Sequence, residues 1–187
     1  SRVEKPARYT GGEMNATTKS FDDADVTFAF CFPDTYEVAM SHLGMKILYG
    51  ILNDLPYALC ERVCMPWTDM RRELKAAGRP LFSLESRHAL NEFDIVGFTL
   101  QYEMSYTNIL NMLDMSGITI RASERGEDEP IIMAGGPCAY NPEPLYDIVD
   151  FFEIGEGEEM MDDVLEVYAK HKANGKVNKK EFLREIS

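Results

Sequence analysis

The residues best placed to do chemistry gather in one stretch: "IIMAGGPCAYNPEP" at 131–144 leads into "FFEIGEGEEMMDDVLEVY" at 151–168. Each half is a short apolar run followed at once by glycine turns, Gly135 and Gly136 in the first and Gly155 and Gly157 in the second. Glycine has no Cβ, so such positions let a backbone touch a ligand or adopt positive φ. Tight turns use glycine with no ligand at all, and both readings stand for either pair taken alone. Glu156, Glu158 and Glu159 open the helix after the second turn, where carboxylates suit the positive end of the helix dipole. Three carboxylates would repel a diphosphate, and "GEGEE" lacks the G-x-G-x-x-G spacing of a dinucleotide fingerprint.

Other reactive side chains are dispersed. His42, His88 and His171 lie in separate segments with no paired cysteines at ligand spacing, which argues against a structural zinc, and no catalytic constellation is expected. Cys60 and Cys64 sit an even number of residues apart in an extended run, so both point to one face of a strand. Cys138, beside the first glycine pair, is a candidate reactive thiol only if its surroundings lower its pKa.

The formal charge of −13 and a pI near 4.6 exclude a nucleic-acid surface or an anionic membrane, both of which need clustered Lys and Arg. Only "KANGKVNKK" at 172–180 is locally basic, and it reads as a solvated tail. No apolar run approaches the ~20 residues of a membrane span, and the N-terminus has no signal-peptide h-region. The expectation is a cytoplasmic protein whose four cysteines, Cys31, Cys60, Cys64 and Cys138, are reduced.

The elements that must position the glycines follow from the hydrophobic period. A chain of 187 residues with 45% hydrophobic content can bury a full core. "VTFAFCF" (26–32) is an apolar run of the kind expected of a strand buried on both faces. A helix is predicted over 36–53, with Leu43, Ile47, Leu48, Ile51 and Leu52 at helical spacing. "ALCERVCMP" (58–66) reads as a strand stopped by Pro66, and "TDMRRELKAAG" (68–78) as a helix with Thr68 as N-cap and Gly78 at its end. The alternation repeats: strand 93–101, a helix carrying Tyr106, Ile109, Leu110 and Leu113 up to Gly117, strands "PIIMA" and "DFFEIG", and a last helix over 157–171.

Five strands alternating with helices imply a flavodoxin/Rossmann-like α/β fold: an open parallel five-stranded sheet with helices on both faces. Residues 1–20 read as an extended arm with a turn at "YTGGE", 21–172 as the α/β domain and 173–187 as a linker. "LFSLES" (81–86) fits either an edge strand or a loop, and "RASERGEDEP" (121–130) is a charged excursion without assigned function. In open parallel sheets ligands bind outside the carboxyl ends of the strands, near the reversal of strand order. The glycine pairs fall at two such ends.

These residues also carry a resemblance. An apolar strand, "GGP", a proline and glutamate shortly after, another strand and then "GEGEE" resemble the N-terminal cobalamin-binding-like domain of B12-dependent radical S-adenosylmethionine (radical SAM) proteins. "SHLGMKILYGIL" (41–52) matches that family's Leu-Gly opening of the first helix. "ARYTGGE", "FAFCFPDTYEVAMSHLGMKILY", "LCERVCMPWTDM", "PLFSLESR", "DIVGFTLQYEMSYTNILNMLDMSGI", "RGEDEP" and "AGGPCAYNPEP" are similar to an uncharacterised bacterial branch of it, so the resemblance covers nearly the whole chain.

The resemblance implies a cobalamin-binding module, not catalytic by itself, with contacts at Phe32, Pro33 and Tyr36 after the first strand and Gln101 and Tyr102 after the third. It implies Gly135, Gly136, Pro137 and Cys138 after the fourth strand, and Gly155, Glu156 and Gly157 after the fifth. Domains of this type that ligate cobalt from below use Asp-x-His-x-x-Gly; here "MSHLG" has Met40 in the Asp position and Gly44 one residue early, so no histidine ligand to cobalt is expected. The radical SAM motif Cys-x3-Cys-x2-Cys is incomplete as well, since "CERVCMPW" places Trp67 third. The chain therefore resembles a fragment whose partner is a radical SAM catalytic domain of the same polypeptide, and the [4Fe–4S] cluster and S-adenosylmethionine would belong to that absent domain. Two other readings compete: a domain of the same ancestry that has lost cobalamin and docks against the catalytic core through "QYEMSY", and an unrelated flavodoxin-like module. A receiver is disfavoured by "CFPD" and "LQYE" at its acidic positions, and a flavin module by the missing Ser/Thr-rich phosphate loop.

Overall fold

The run Val26–Phe32 forms β1, buried at every position in the computed structural model, which describes residues 2–187. A strand buried on both faces must be covered twice, and its alternation divides the core in two. Phe28, Phe30 and Phe32 enter one apolar cluster, Ala29 and Cys31 the other. After β1 come α1 (Tyr36–Ser41), α2 (Leu43–Asp54), β2 (Ala58–Cys64), α3 (Thr68–Ala77), β3 (Ile95–Thr99), α4 (Tyr106–Met115), β4 (Ile131–Gly135), β5 (Phe151–Phe152), α5 (Gly157–Ala173) and α6 (Lys179–Glu185). Every strand pair is parallel and the sheet order is β2-β1-β3-β4-β5. This is the open five-stranded flavodoxin/Rossmann-like arrangement, and its strand order reverses between β1 and β3. α2, α5 and α6 cover one face through Met45, Leu52, Leu165 and Phe182; α3 and α4 cover the other through Leu74, Ile109 and Leu113. Cys60 and Cys64 share the first face, as their spacing requires. Among the described residues no helix is long and apolar enough to cross a membrane.

Local chemistry shifts several boundaries. The helix expected over 36–53 is two helices, because His42 is extended (φ −83°, ψ 116°) and its Nδ1 accepts from the Met45 N–H at 3.1 Å, capping α2. The buried face of α2 is Met45, Tyr49 and Leu52, whereas Leu43 and Ile47 from the expected stripe are exposed. Thr68 is the first residue of α3 rather than its cap; the extended residue before the helix is Trp67, whose N–H donates to the Tyr9 hydroxyl. Gly78 ends α3 in the left-handed conformation (φ 59°). β5 is shorter than the expected strand, since only Phe151 and Phe152 pair with β4.

Two segments that the sequence left open have structural roles. Residues 81–89 cover the free edge of β2: the Leu84 N–H donates to the Arg62 carbonyl, and the Glu85 carboxylate accepts from the Arg62 N–H and Nε. The loop 121–130 wraps Arg125, whose guanidinium reaches Asp150 Oδ2 at 2.6 Å and the carbonyls of Thr119, Ile120 and Ile148. Of the expected arm at 1–20, residue 1 lies outside the described residues, and the rest is pinned by Arg8 to Glu37, Glu13 to Arg62 and Thr17 to Tyr49. The expected linker does not hold for 179–185: α6 packs with Phe182 fully buried, and Lys179 is buried as well, donating to the Gly126 carbonyl. Aromatic burial on the sheet face thus outweighs the basic character of this stretch.

Candidate functional site

At the carboxyl ends of the strands, beside the reversal of order, lies a cavity of about 160 Å³. Its sheet wall is Phe28 and Phe30 of β1, Gly97 to Thr99 of β3 and Met133 of β4; its roof is Met45 and Leu48 of α2 and Met161 of α5. His42, Gln101, Gly135, Gly136, Gly155 and Gly157 line it as well. Glycine is required at two of these places. A Cβ at Gly97 would come 2.3 Å from Cζ of Phe28. Gly136 has φ 102°, and a Cβ there would lie 3.1 Å from both the N and O of Leu100. That close approach exists because β3 and β4 end level, Thr99 opposite Gly135, and remain tied by Leu100 N–H to the Gly135 carbonyl at 2.7 Å.

Of the residues expected at a site, Gln101, Gly135, Gly136, Gly155 and Gly157 converge on this cavity. The others are placed differently. Phe32 is buried in the core and packs on His42 at 5.3 Å between ring centroids. The Pro33 carbonyl accepts from Asn108, and the Tyr36 hydroxyl donates to Glu13 on the arm side of α1. Tyr102 donates to Asp34 above the strand ends. Pro137 and Cys138 begin a single 3-10 turn, the Cys138 N–H donating to the Leu100 carbonyl, and the Glu156 carbonyl accepts from the first turn of α5.

The residue that sequence reasoning missed is Glu153. It lines the cavity, is 8% exposed, and its Oε1 has no hydrogen-bond partner among the described residues. The signal was present: an ionisable residue inside the apolar run "DFFEIG". Burial, with Glu158 adding to it, pushes the Glu153 carboxyl above its ordinary value of 4.5. A raised carboxyl pKa means that the folded state holds the proton longer than the unfolded chain. The Glu153 contribution to stability is therefore fully present below the unfolded value and is lost as pH rises through the folded value. Glu153→Gln should accordingly gain stability over the native protein as pH rises through that window, measured by denaturant unfolding at several pH values. A difference that is flat in pH would contradict it.

The other two histidines are engaged elsewhere: His88 stacks on Phe21 at 3.7 Å and meets the Ser86 hydroxyl, and His171 meets Glu185. All four cysteines are free. Burial pushes the thiols of Cys31 and Cys60 well up and that of Cys64 to about 12, while half-buried Cys138 is raised by burial and by Glu103. No lowered pKa supports a reactive Cys138. A native-state thiol titration at mildly alkaline pH should show one slow accessible equivalent, absent in Cys138→Ser, with the rest reacting only on unfolding. Rapid reaction of a second thiol would refute this burial pattern.

Comparison with known proteins supplies the context for this geometry. The chain is 30% identical over 161 residues to an uncharacterized protein of Methanocaldococcus jannaschii, an alignment that covers 81% of this chain and 30% of that relative's length. No solved structure gives a significant match. Residues 44–187, which include both glycine turns and the cavity lining apart from Phe28, Phe30 and His42, match the family described as radical SAM proteins, N-terminal. The chain belongs to the family of N-terminal domains of radical SAM proteins.

Proposed function

We propose that this chain is the cobalamin-binding module of a radical SAM iron–sulfur protein and is not catalytic by itself. The observation that carries the reading is the glycine-lined apolar cavity at the strand-order reversal. An apolar cavity of about 150 Å³ admits a benzene-sized ring, so the cavity here, at about 160 Å³, suits one flat ring system such as the base of a nucleotide tail. A corrin would have to lie outside it. Exposed apolar side chains adjoin the lining residues at the mouth: Leu43 beside His42, Tyr102 beside Gln101, Ile154 beside Gly155, and Met160 with its sulfur over Gly155. Bound there, a cobalamin would supply a cobalt centre for methyl transfer or for tuning a radical step. This chain's own residues would hold the tail, exclude water through Phe28, Met133 and Met161, and admit the ring past Gly135 and Gly157.

The cluster and S-adenosylmethionine belong, in this reading, to a catalytic domain elsewhere in the same polypeptide. A second reading rests on a specific observation: Met104 is 86% exposed and Tyr140 72% exposed near the same end of the sheet, an apolar surface suited to docking that domain without cobalamin. Titration of the purified chain with hydroxocobalamin and methylcobalamin, followed by visible spectrum and calorimetry, separates the two. Saturable binding supports the cofactor module, and no binding at high micromolar cobalamin supports the docking domain.

A further inference from the structure

Among the buried side-chain polar atoms that line the cavity, one is left without a partner. His42 Nδ1 accepts from Met45, and Gln101 Nε2 donates to the Thr99 hydroxyl at 2.6 Å. The Glu153 side chain alone has no partner, although its main chain is fixed by an N–H donated to the Ala134 carbonyl at 2.9 Å. It is held between two glycines. A Cβ on Gly135 would lie 3.1 Å from Oε2, and one on Gly157 would lie 3.2 Å from Oε1. Any side chain at either position would press on the carboxyl or close off the space beside it. A buried, unpaired polar group opposes folding, so its presence in a mostly apolar cavity points to a partner that arrives with a ligand.

The chemistry of that ligand follows from the walls. Phenyl rings from Phe28 and Phe30 and thioethers from Met45, Met133 and Met161 favour an aromatic surface. A protonated carboxyl has one O–H donor with acceptor capacity besides, and an ionised one only accepts. An aliphatic ammonium would need several partners once stripped of water, whereas a weakly basic ring nitrogen needs one. We infer that Glu153 is the specificity-determining residue of the cavity and that it selects a flat nitrogen heteroaromatic ring over a hydrocarbon ring of the same shape. This deepens the reading above, in which that ring is the base of the cofactor's nucleotide tail.

The test uses the 187-residue chain with isotopically labelled backbone and Glu side chains. Benzimidazole and indene, which have the same outline, are titrated separately while the Gly135 and Gly157 amides and the Glu153 carboxyl carbon are followed by NMR. Benzimidazole should bind roughly tenfold or more tighter than indene, since one hydrogen bond to a carboxyl group separates them, and the Glu153 carbon should shift with it. Glu153→Leu should erase the preference by weakening benzimidazole alone, and Glu153→Gln, which can still donate and accept, should retain part of it. Equal affinity for the two rings, absence of benzimidazole binding, or a preference unchanged in Glu153→Leu overturns the inference.

Cobalamin and base-free cobinamide, titrated in parallel, distinguish this inference from the function on which it rests. Benzimidazole preference without cobalamin binding removes the cofactor reading and leaves Glu153 as the selector of another heteroaromatic ligand. If cobalamin binds and its advantage over cobinamide is unchanged in Glu153→Leu, the cofactor reading stands and the role of Glu153 fails.

Discussion

Gly157→Leu is expected to remove cobalamin binding while leaving the fold intact. Gly157 is the first residue of α5, and no positive φ protects its identity. A Cβ there would point at Glu153 Oε1, 3.2 Å away, and at the Leu48 methyls, 3.5 and 3.6 Å away, so a larger side chain extends into the cavity itself. In the free chain this side chain fills empty space, so the crowding falls on the bound state, where a penalty like that of an overpacked core, about 1–3 kcal/mol, corresponds to roughly a fivefold to hundredfold loss of affinity, and a ring that no longer enters loses more. Leucine also has a better helix propensity than glycine, so the unfolding midpoint should not fall by much. Calorimetric titration of the variant beside the native chain is the measurement. Unchanged affinity in a folded Gly157→Leu protein would place the cofactor elsewhere. Gly136→Val is a poorer probe, because φ 102° and the Leu100 backbone make it a test of folding first.

The largest stability effect should come from Arg125→Ala. The Arg125 side chain is 1% exposed and Asp150 8%, and they meet at 2.6 Å. Removing the guanidinium strands the Asp150 carboxylate together with the carbonyls of Thr119, Ile120 and Ile148. Breaking a buried pair by deleting one partner costs about 3–5 kcal/mol, which in a chain of this length lowers the melting midpoint by roughly 6–20 °C. The pair itself need not be stabilising relative to uncharged residues. Asp150 Oδ2 also accepts from the Ile132 N–H at 2.7 Å, a bond that an asparagine oxygen can keep. Arg125→Met with Asp150→Asn should therefore recover much of the loss, as measured by thermal unfolding. If the double variant is no better than Arg125→Ala, the orphaned carbonyls dominate over the stranded charge.

The sequence by itself determined the layer architecture. The all-buried run at 26–32 requires two covered faces, and alternation with helical periods requires parallel crossovers, so the five-stranded sheet follows from local patterns. It also located the strand ends, because glycine pairs after apolar runs are local features, and five of the twelve residues that the family resemblance implied line the cavity. The rest depended on contacts between distant segments. Tyr36 turns to Glu13, 23 residues earlier, and so faces the arm rather than the cavity, which no periodicity encodes.

Two further decisions belong to tertiary structure alone. The basic stretch at 172–180 reads as a tail because charge dominates its composition, yet Phe182 just beyond it finds a ring-lined slot against Phe151 and Tyr168 and draws α6 onto the sheet. Glu153 reads as one polar residue in a short strand, and only the level ends of β3 and β4, the glycines on either side and the roof of α2 and α5 make it a dehydrated, unpaired carboxyl in a cavity. Local spacing specifies elements and their faces. Desolvation is set by what the whole chain brings around a group, so the chemistry of this cavity became legible only in the folded molecule.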